Sequence, residues 1–139
     1  MTQSDLPRPP IVVLCGNAEA IESFEEIGRQ ESEKGKIVLV PYHFYAPGQV
    51  VNYQVQRAMD QLQLDRIVLA DEVLVLNIGG HIDERTGNEM AYAYAKQKHI
   101  TTVEPLDLAQ WFKDWDAQLR AESLKYVQGG LRREEIPST

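Results

Sequence analysis

Short apolar runs alternate along this chain with longer stretches of helical periodicity, and glycine or proline closes most of them. Ile11–Cys15 is continuously apolar, the pattern of a strand buried on both faces. Gly16-Asn17 follows as a tight turn, with Asn17 placed to cap a helix. That helix is predicted over 18–34, with Ile21, Phe24 and Ile27 on its core face and Gly35 as its stop. A second buried strand covers 37–40 and ends at Pro41, and an aromatic-rich loop runs over 42–52. From Tyr53 the pattern is helical again, with Val55, Met59 and Leu62 in register. Over 60–70 it fits either one interrupted helix or two short ones.

A third buried strand is predicted over 72–77, broken by Gly79-Gly80, with a loop to Thr86. A helix over 87–97 turns Met90, Ala91, Tyr94 and Ala95 inward, and a fourth strand covers 100–103. Asp107 is placed to cap a last helix bearing Leu108, Trp111, Phe112, Trp115 and Leu119, which Gly129-Gly130 should end. Alternating strands and helices with short buried strands imply right-handed crossovers and a parallel sheet covered on both faces. The expected fold is therefore α/β, a Rossmann-like or flavodoxin-like three-layer sandwich on a mostly parallel sheet of about four to five strands. Residues 1–10, polar and proline-rich, form a flexible arm; 11–128 form one domain; 129–139 form a charged tail.

Composition narrows the function classes. The formal charge of −7 argues against a binder of nucleic-acid polymers, which needs a basic footprint. Cys15 is the one cysteine, so no intrachain disulfide framework exists, and a reducing compartment fits. Its simplest role is that of a small core residue. No signal-peptide pattern opens the chain and no apolar stretch approaches the ~20 residues that span a bilayer, so a cytoplasmic protein without a membrane partner is expected. Three histidines without paired spacing make a metal site unexpected, and no cofactor is implied.

In a sheet of this kind the ligand crevice lies beyond the carboxyl ends of the strands. Gly16-Asn17, the loop after Pro41 and the segment 78–89 converge there. Backbone amides at Gly16-Asn17 suit an anion, although one glycine also serves any tight strand-to-helix turn. Asp83 and Glu89 are the candidate acid–base pair, since two carboxylates in different environments can divide labour. Thr86-Gly87-Asn88-Glu89 also has the form of a capping box, in which Glu89 would bond back to the amide of Thr86. His81 is either a base or phosphate contact, or a solvated loop residue. Tyr42, Phe44 and Tyr45 have faces that suit a heterocycle, or they cover the core. The stripe of Trp111, Phe112 and Trp115 belongs to a core or to an oligomer interface.

Asp71-Glu72-Val73-Leu74-Val75-Leu76-Asn77-Ile78-Gly79-Gly80, with Asp83 and then Thr86-Gly87-Asn88-Glu89-Met90-Ala91-Tyr92-Ala93, resembles the signature of nucleoside 2-deoxyribosyltransferase-like proteins. Val13-Leu14-Cys15-Gly16-Asn17 is similar to that family's first strand and turn, and the resemblance runs over about 11–103. It implies a nucleoside or nucleotide substrate and N-glycosidic cleavage or (deoxy)ribosyl transfer, with Glu89 as nucleophile and Asp83 assisting. It also implies a homo-oligomer and relatives that hydrolyse nucleoside 5′-monophosphates. By the geometry of the carboxyl edge, Gly16, Asn17, Gly79, Gly80 and His81 are the candidate contacts for the ligand's ribose or anionic end, and Tyr42, Phe44 and Tyr45 for its base. Gln63 stands where the family carries an aspartate, and Leu14 where it carries a tyrosine. Those two departures favour the alternative, a non-catalytic nucleotide-binding or sensing module of the same fold.

Overall fold

A computed structural model describes residues 8–42 and 52–134, excepting the side chains of Ala18 and of 125–134. The chain divides into two compact units, Met1–Pro105 and Leu106–Thr139. The first unit holds strands β1 (Ile11–Cys15), β2 (Ile37–Leu39), β3 (Glu72–Val75) and β4 (His99–Thr102). Between them lie helices α1 (Ile21–Glu33), α2 (Tyr53–Leu69) and α3 (Glu84–Ala95). The strands form one sheet in the order β2-β1-β3-β4, every pairing parallel, so the expected α/β sandwich is present with four strands.

Side-chain alternation along β1 separates the two faces. Val12 and Leu14 join Phe24 and Leu76 in one core layer, against which Ile27 of α1 packs. The next residue, Cys15, points the other way and meets Gln63 of α2. Thus α1 covers one face, and α2 with α3 covers the other. β1 is buried beyond its first residue, as its continuous apolar run predicts, whereas β3 alternates half-buried Glu72 and Leu74 with buried Val73 and Val75. The edge strand β2 is not buried: Ile37 is exposed and Val38 and Leu39 are half-buried, because no strand among the described residues flanks it on its outer side.

Local expectations change in three helices. Ile21 is exposed, since the chain first makes a 3-10 turn at Ala18–Ala20 that rotates the start of α1. α2 is uninterrupted, and it buries Gln63 and Ile67 while Val55 and Leu62 face out. α3 begins at Glu84 instead of 87, and buries Glu89, Met90 and Ala93 while Tyr94 and Ala95 are exposed. Gly35, at φ +88, does end α1 as expected.

The second unit is α4 (Leu108–Glu134), which continues through Gly129-Gly130, the pair expected to stop it. Asp107 caps its start, accepting from the Gln110 amide at 3.1 Å. Trp111 and Trp115, one turn apart, stack with ring centroids 5.2 Å apart, and Phe112 meets Trp111 edge-on. No helix among the described residues is long and apolar enough to cross a membrane.

Candidate functional site

Glu89 is the buried carboxylate of the sheet's carboxyl edge. It lies in the second turn of α3, beside Cys15, the last residue of β1, and only 4% of its surface is exposed. An isolated carboxylate is costly to bury, so its partners matter. Gln63 Nε2 donates to Glu89 Oε1 at 3.3 Å, and the Cys15 thiol donates to the same carboxylate. Burial pushes the Glu89 pKa up to about 7, a rise opposed by those two donors and by the charge of Arg85, and reinforced by Asp83. Near neutral pH the group therefore divides between acid and carboxylate. Burial and the adjacent Glu89 also push the Cys15 thiol well up, so Cys15 is a neutral donor there and not a nucleophile.

The polar side of Glu89 opens onto a cleft of about 320 Å³ lined by Asp60 and Leu64 of α2 and by Glu84, Arg85, Asn88 and Glu89 of α3. Arg85 Nε stands 3.7 Å from Asp60 Oδ1, close enough for attraction but beyond a hydrogen bond. Asp60 Oδ1 and the buried Thr86 hydroxyl have no hydrogen-bond partner among the described residues. The cleft thus offers one cation, two acidic side chains and an amide around Glu89. Among the described residues no group of three or more His, Cys, Asp or Glu could hold a metal ion.

The sequence-predicted residues divide into several groups. Asp83 is the N-cap of α3: its Oδ1 accepts from the Thr86 amide at 2.9 Å. The capping box headed by Thr86 is therefore not formed, and Glu89 is not a capping residue. Gly16 is buried at the end of β1, where a Cβ would lie 3.0 Å from Phe24 Cζ and 3.2 Å from Leu76 Cβ. Close packing alone accounts for that glycine. Asn17 accepts from the Ala20 amide at 3.2 Å through Oδ1 and so starts the 3-10 turn.

Gly79 and Gly80 both adopt positive φ in a 3-10 turn after β3, and the Gly79 amide donates to the Glu104 carboxylate. His81 is exposed. Tyr42 is exposed as well and lines a second cleft, on the α1 side, with Ile21, Phe24, Glu25, Val40 and Pro41. Phe44 and Tyr45 lie outside the described residues.

Sequence reasoning missed Asp60, Arg85 and Asn88, and met Gln63 only as a departure from a family pattern. A signal was present: Arg85 stands one helical turn before Glu89 and three positions before Asn88, and Asp60 and Gln63 share a face of α2. Asn77 was also unrecognised. Its buried amide donates to the Glu104 carbonyl at 3.1 Å and accepts from the Glu104 amide at 2.9 Å. That pair ties the loop after β4 to the loop after β3, in the manner of one more rung of a sheet.

No family model matches the sequence, and no curated protein matches it. The fold does have a counterpart of known structure. It is similar to a 2-deoxyribosyltransferase from the psychrotolerant bacterium Bacillus psychrosaccharolyticus, with a TM-score of 0.53 and 16% sequence identity over 71% of this chain and 78% of that one. The fold of this protein is 2-deoxyribosyltransferase-like.

Proposed function

We propose that this protein cleaves or transfers the N-glycosidic bond of a nucleoside or nucleotide, with Glu89 as nucleophile. The observation that carries this reading is a buried glutamate at the carboxyl end of β1 that lines a cleft large enough for a sugar. The fold similarity to a 2-deoxyribosyltransferase supports it.

The Glu89 carboxylate attacks the anomeric carbon as the bond to the base nitrogen breaks, and the bonding pair leaves with the base. The oxocarbenium-like charge that develops is met by the carboxylate and then captured as a glycosyl ester. A second base, or water, then attacks the same carbon and releases Glu89 as a carboxylate. The acceptor's proton returns to a general base, a role in which Asp83, set at the start of the same helix, assists. Burial favours the scheme, because an anion with few water contacts loses little solvation on attack. Gly16, Asn17, Gly79, Gly80 and His81 border the carboxyl edge and would meet the sugar or phosphate, with Tyr42 toward the base. A homo-oligomer goes with this reading, and light scattering at tens of micromolar tests it.

The deciding experiment is a panel of nucleosides and nucleoside 5′-monophosphates scored by chromatography for free base. Release by the wild type and its absence from folded Glu89→Ala is the expected result. Turnover near wild type in that variant would remove Glu89 from the role. Ligand binding with no release from any substrate would favour the non-catalytic module.

A further inference from the structure

We infer that Gln63 is a positioning residue for Glu89: its side-chain amide, oriented by Arg66, holds the glutamate carboxylate against the end of β1 and toward the cleft. The inference rests on the glycosidic reading of the site. It starts from the accounting of one buried amide, since Gln63 is only 1% exposed and every polar atom it carries needs a partner.

Its Nε2 has two hydrogens. One reaches the Leu14 carbonyl at 3.0 Å, and the other is directed at Glu89 Oε1 at 3.3 Å, with Cys15 Sγ at 3.6 Å nearby. The amide oxygen accepts from Arg66 Nη1 at 3.3 Å. Turning the amide over would set its oxygen against a carbonyl and a carboxylate, and its NH2 against a guanidinium. Both ends would then be repulsive, so Arg66 selects the orientation in which Gln63 donates to Glu89. Arg66 is itself steadied, its guanidinium 5.4 Å from the centre of the Tyr42 ring.

Two points of attachment make this more than core filling. The Leu14 carbonyl belongs to β1 and Glu89 to α3, so one amide on α2 fixes the carboxylate relative to the strand whose end borders the crevice. The other charged or titratable groups that face Glu89 are Cys15 from β1, Asp60 from α2, and Arg85, Glu84 and Asp83 from α3 and its cap. The Cys15 thiol and the Gln63 amide lower its pKa by hydrogen bonding, and Arg85 lowers it by charge.

The test follows the carboxyl carbon of Glu89 by NMR across pH, a readout that needs no substrate, in full-length wild type, Gln63→Met, Arg66→Met and Arg66→Lys. Gln63→Met keeps the length of the side chain and removes the donor. Its Glu89 midpoint should move up by about one pH unit, which leaves tenfold less carboxylate on the acid side. Arg66→Met should move it the same way by less, and Arg66→Lys, which retains a donor, least. In the base-release assay kcat of Gln63→Met should fall about tenfold at pH 6, with the acid limb displaced by the same amount and KM within about twofold.

A purely structural Gln63 would change stability and leave the midpoint where it was. If Gln63→Met does not fold, Arg66→Met carries the test. A midpoint unmoved in every folded variant overturns the inference. Lack of base release by wild type would overturn the glycosidic reading instead, and the titration distinguishes the two failures.

Discussion

Asp83 caps the helix on which Glu89 sits, accepting the Thr86 amide at 2.9 Å, and so places Glu89 in the second turn and not at the helix end. One carboxylate thereby starts the helix and the other is carried inward to meet β1. The resemblance that pairs Asp83 with Glu89 and the local pattern that makes Glu89 a capping residue compete in the sequence. The structure removes the second, because the cap position is already filled by Asp83.

Replacement of Asp83 separates its two roles. Asp83→Ala should cost about 1 kcal/mol of stability, the usual effect of losing a side-chain cap. Asp83→Asn keeps a good capping side chain and should unfold within a few tenths of a kcal/mol of wild type. If Asp83 also assists the reaction, base release should fall in both variants by similar factors. Denaturant midpoints read beside initial rates decide the matter, and full activity in Asp83→Asn would confine the residue to capping.

Gly16→Ala should destabilise by about 1–3 kcal/mol, the range for overfilling a packed site. The added methyl would stand 3.0 Å from Phe24 Cζ, 3.2 Å from Leu76 Cβ and 3.3 Å from the Leu76 carbonyl. Two of those three neighbours belong to Leu76, which continues β3, and its backbone cannot yield cheaply. Phe24→Leu should recover part of the loss in the double variant, as contacting sites are not additive. Thermal unfolding of the four proteins in the cycle checks both statements.

Asn77→Leu should be more costly than a surface change, by about 2–3 kcal/mol, because it leaves the Glu104 amide and carbonyl without the side chain that satisfies both. The loop after β4 should exchange its amide protons faster in that variant than the core of β1 does. Hydrogen exchange at Glu104 and at Val13 measures the contrast, and equal protection would show that Asn77 does not tie the loop.

Much of the scaffold was legible because its signals are local. The run from Ile11 to Cys15 maps onto β1 without shift, and Gly35 and Asp107 bound helices as their types suggest. The site was less legible, for a physical reason. Periodicity assigned Val55 and Leu62 to the core side of α2, yet the helix turns Gln63 and Ile67 inward, where Cys15 of β1 and the buried Glu89 of α3 are polar partners for Gln63. A polar residue paid no heed in a hydrophobic count becomes the buried one when its partner comes from a segment 26 residues away. The start of α3 was misplaced for a similar reason, because Asp83 and Thr86 are both good caps and only the fold selects between them.

Folding stability should depend on pH through the buried Glu89 carboxyl. Glu89 has its pKa raised from the ordinary 4.5 to about 7 in the folded protein, chiefly by burial. Below 4.5 both folded and unfolded chains hold this proton, and the group does not distinguish them. Between 4.5 and 7 the folded state holds the proton more tightly than the unfolded one, so stability falls as pH rises through that window. Above 7 the carboxylate is buried ionised, and the full penalty of about 3 kcal/mol has accrued. The carboxylates held by cations, Glu31 beside Lys34 and Lys36 and Asp71 beside Arg8, are shifted downward and act on the acid side of this window. Glu89→Gln, which cannot ionise, should therefore be flat from pH 5 to 8 where wild type declines. It should be the more stable protein at pH 8 while releasing no base. Urea unfolding at half-unit steps of pH measures the two curves, and a wild-type curve as flat as that of Glu89→Gln would mean that Glu89 is ionised in the folded protein throughout.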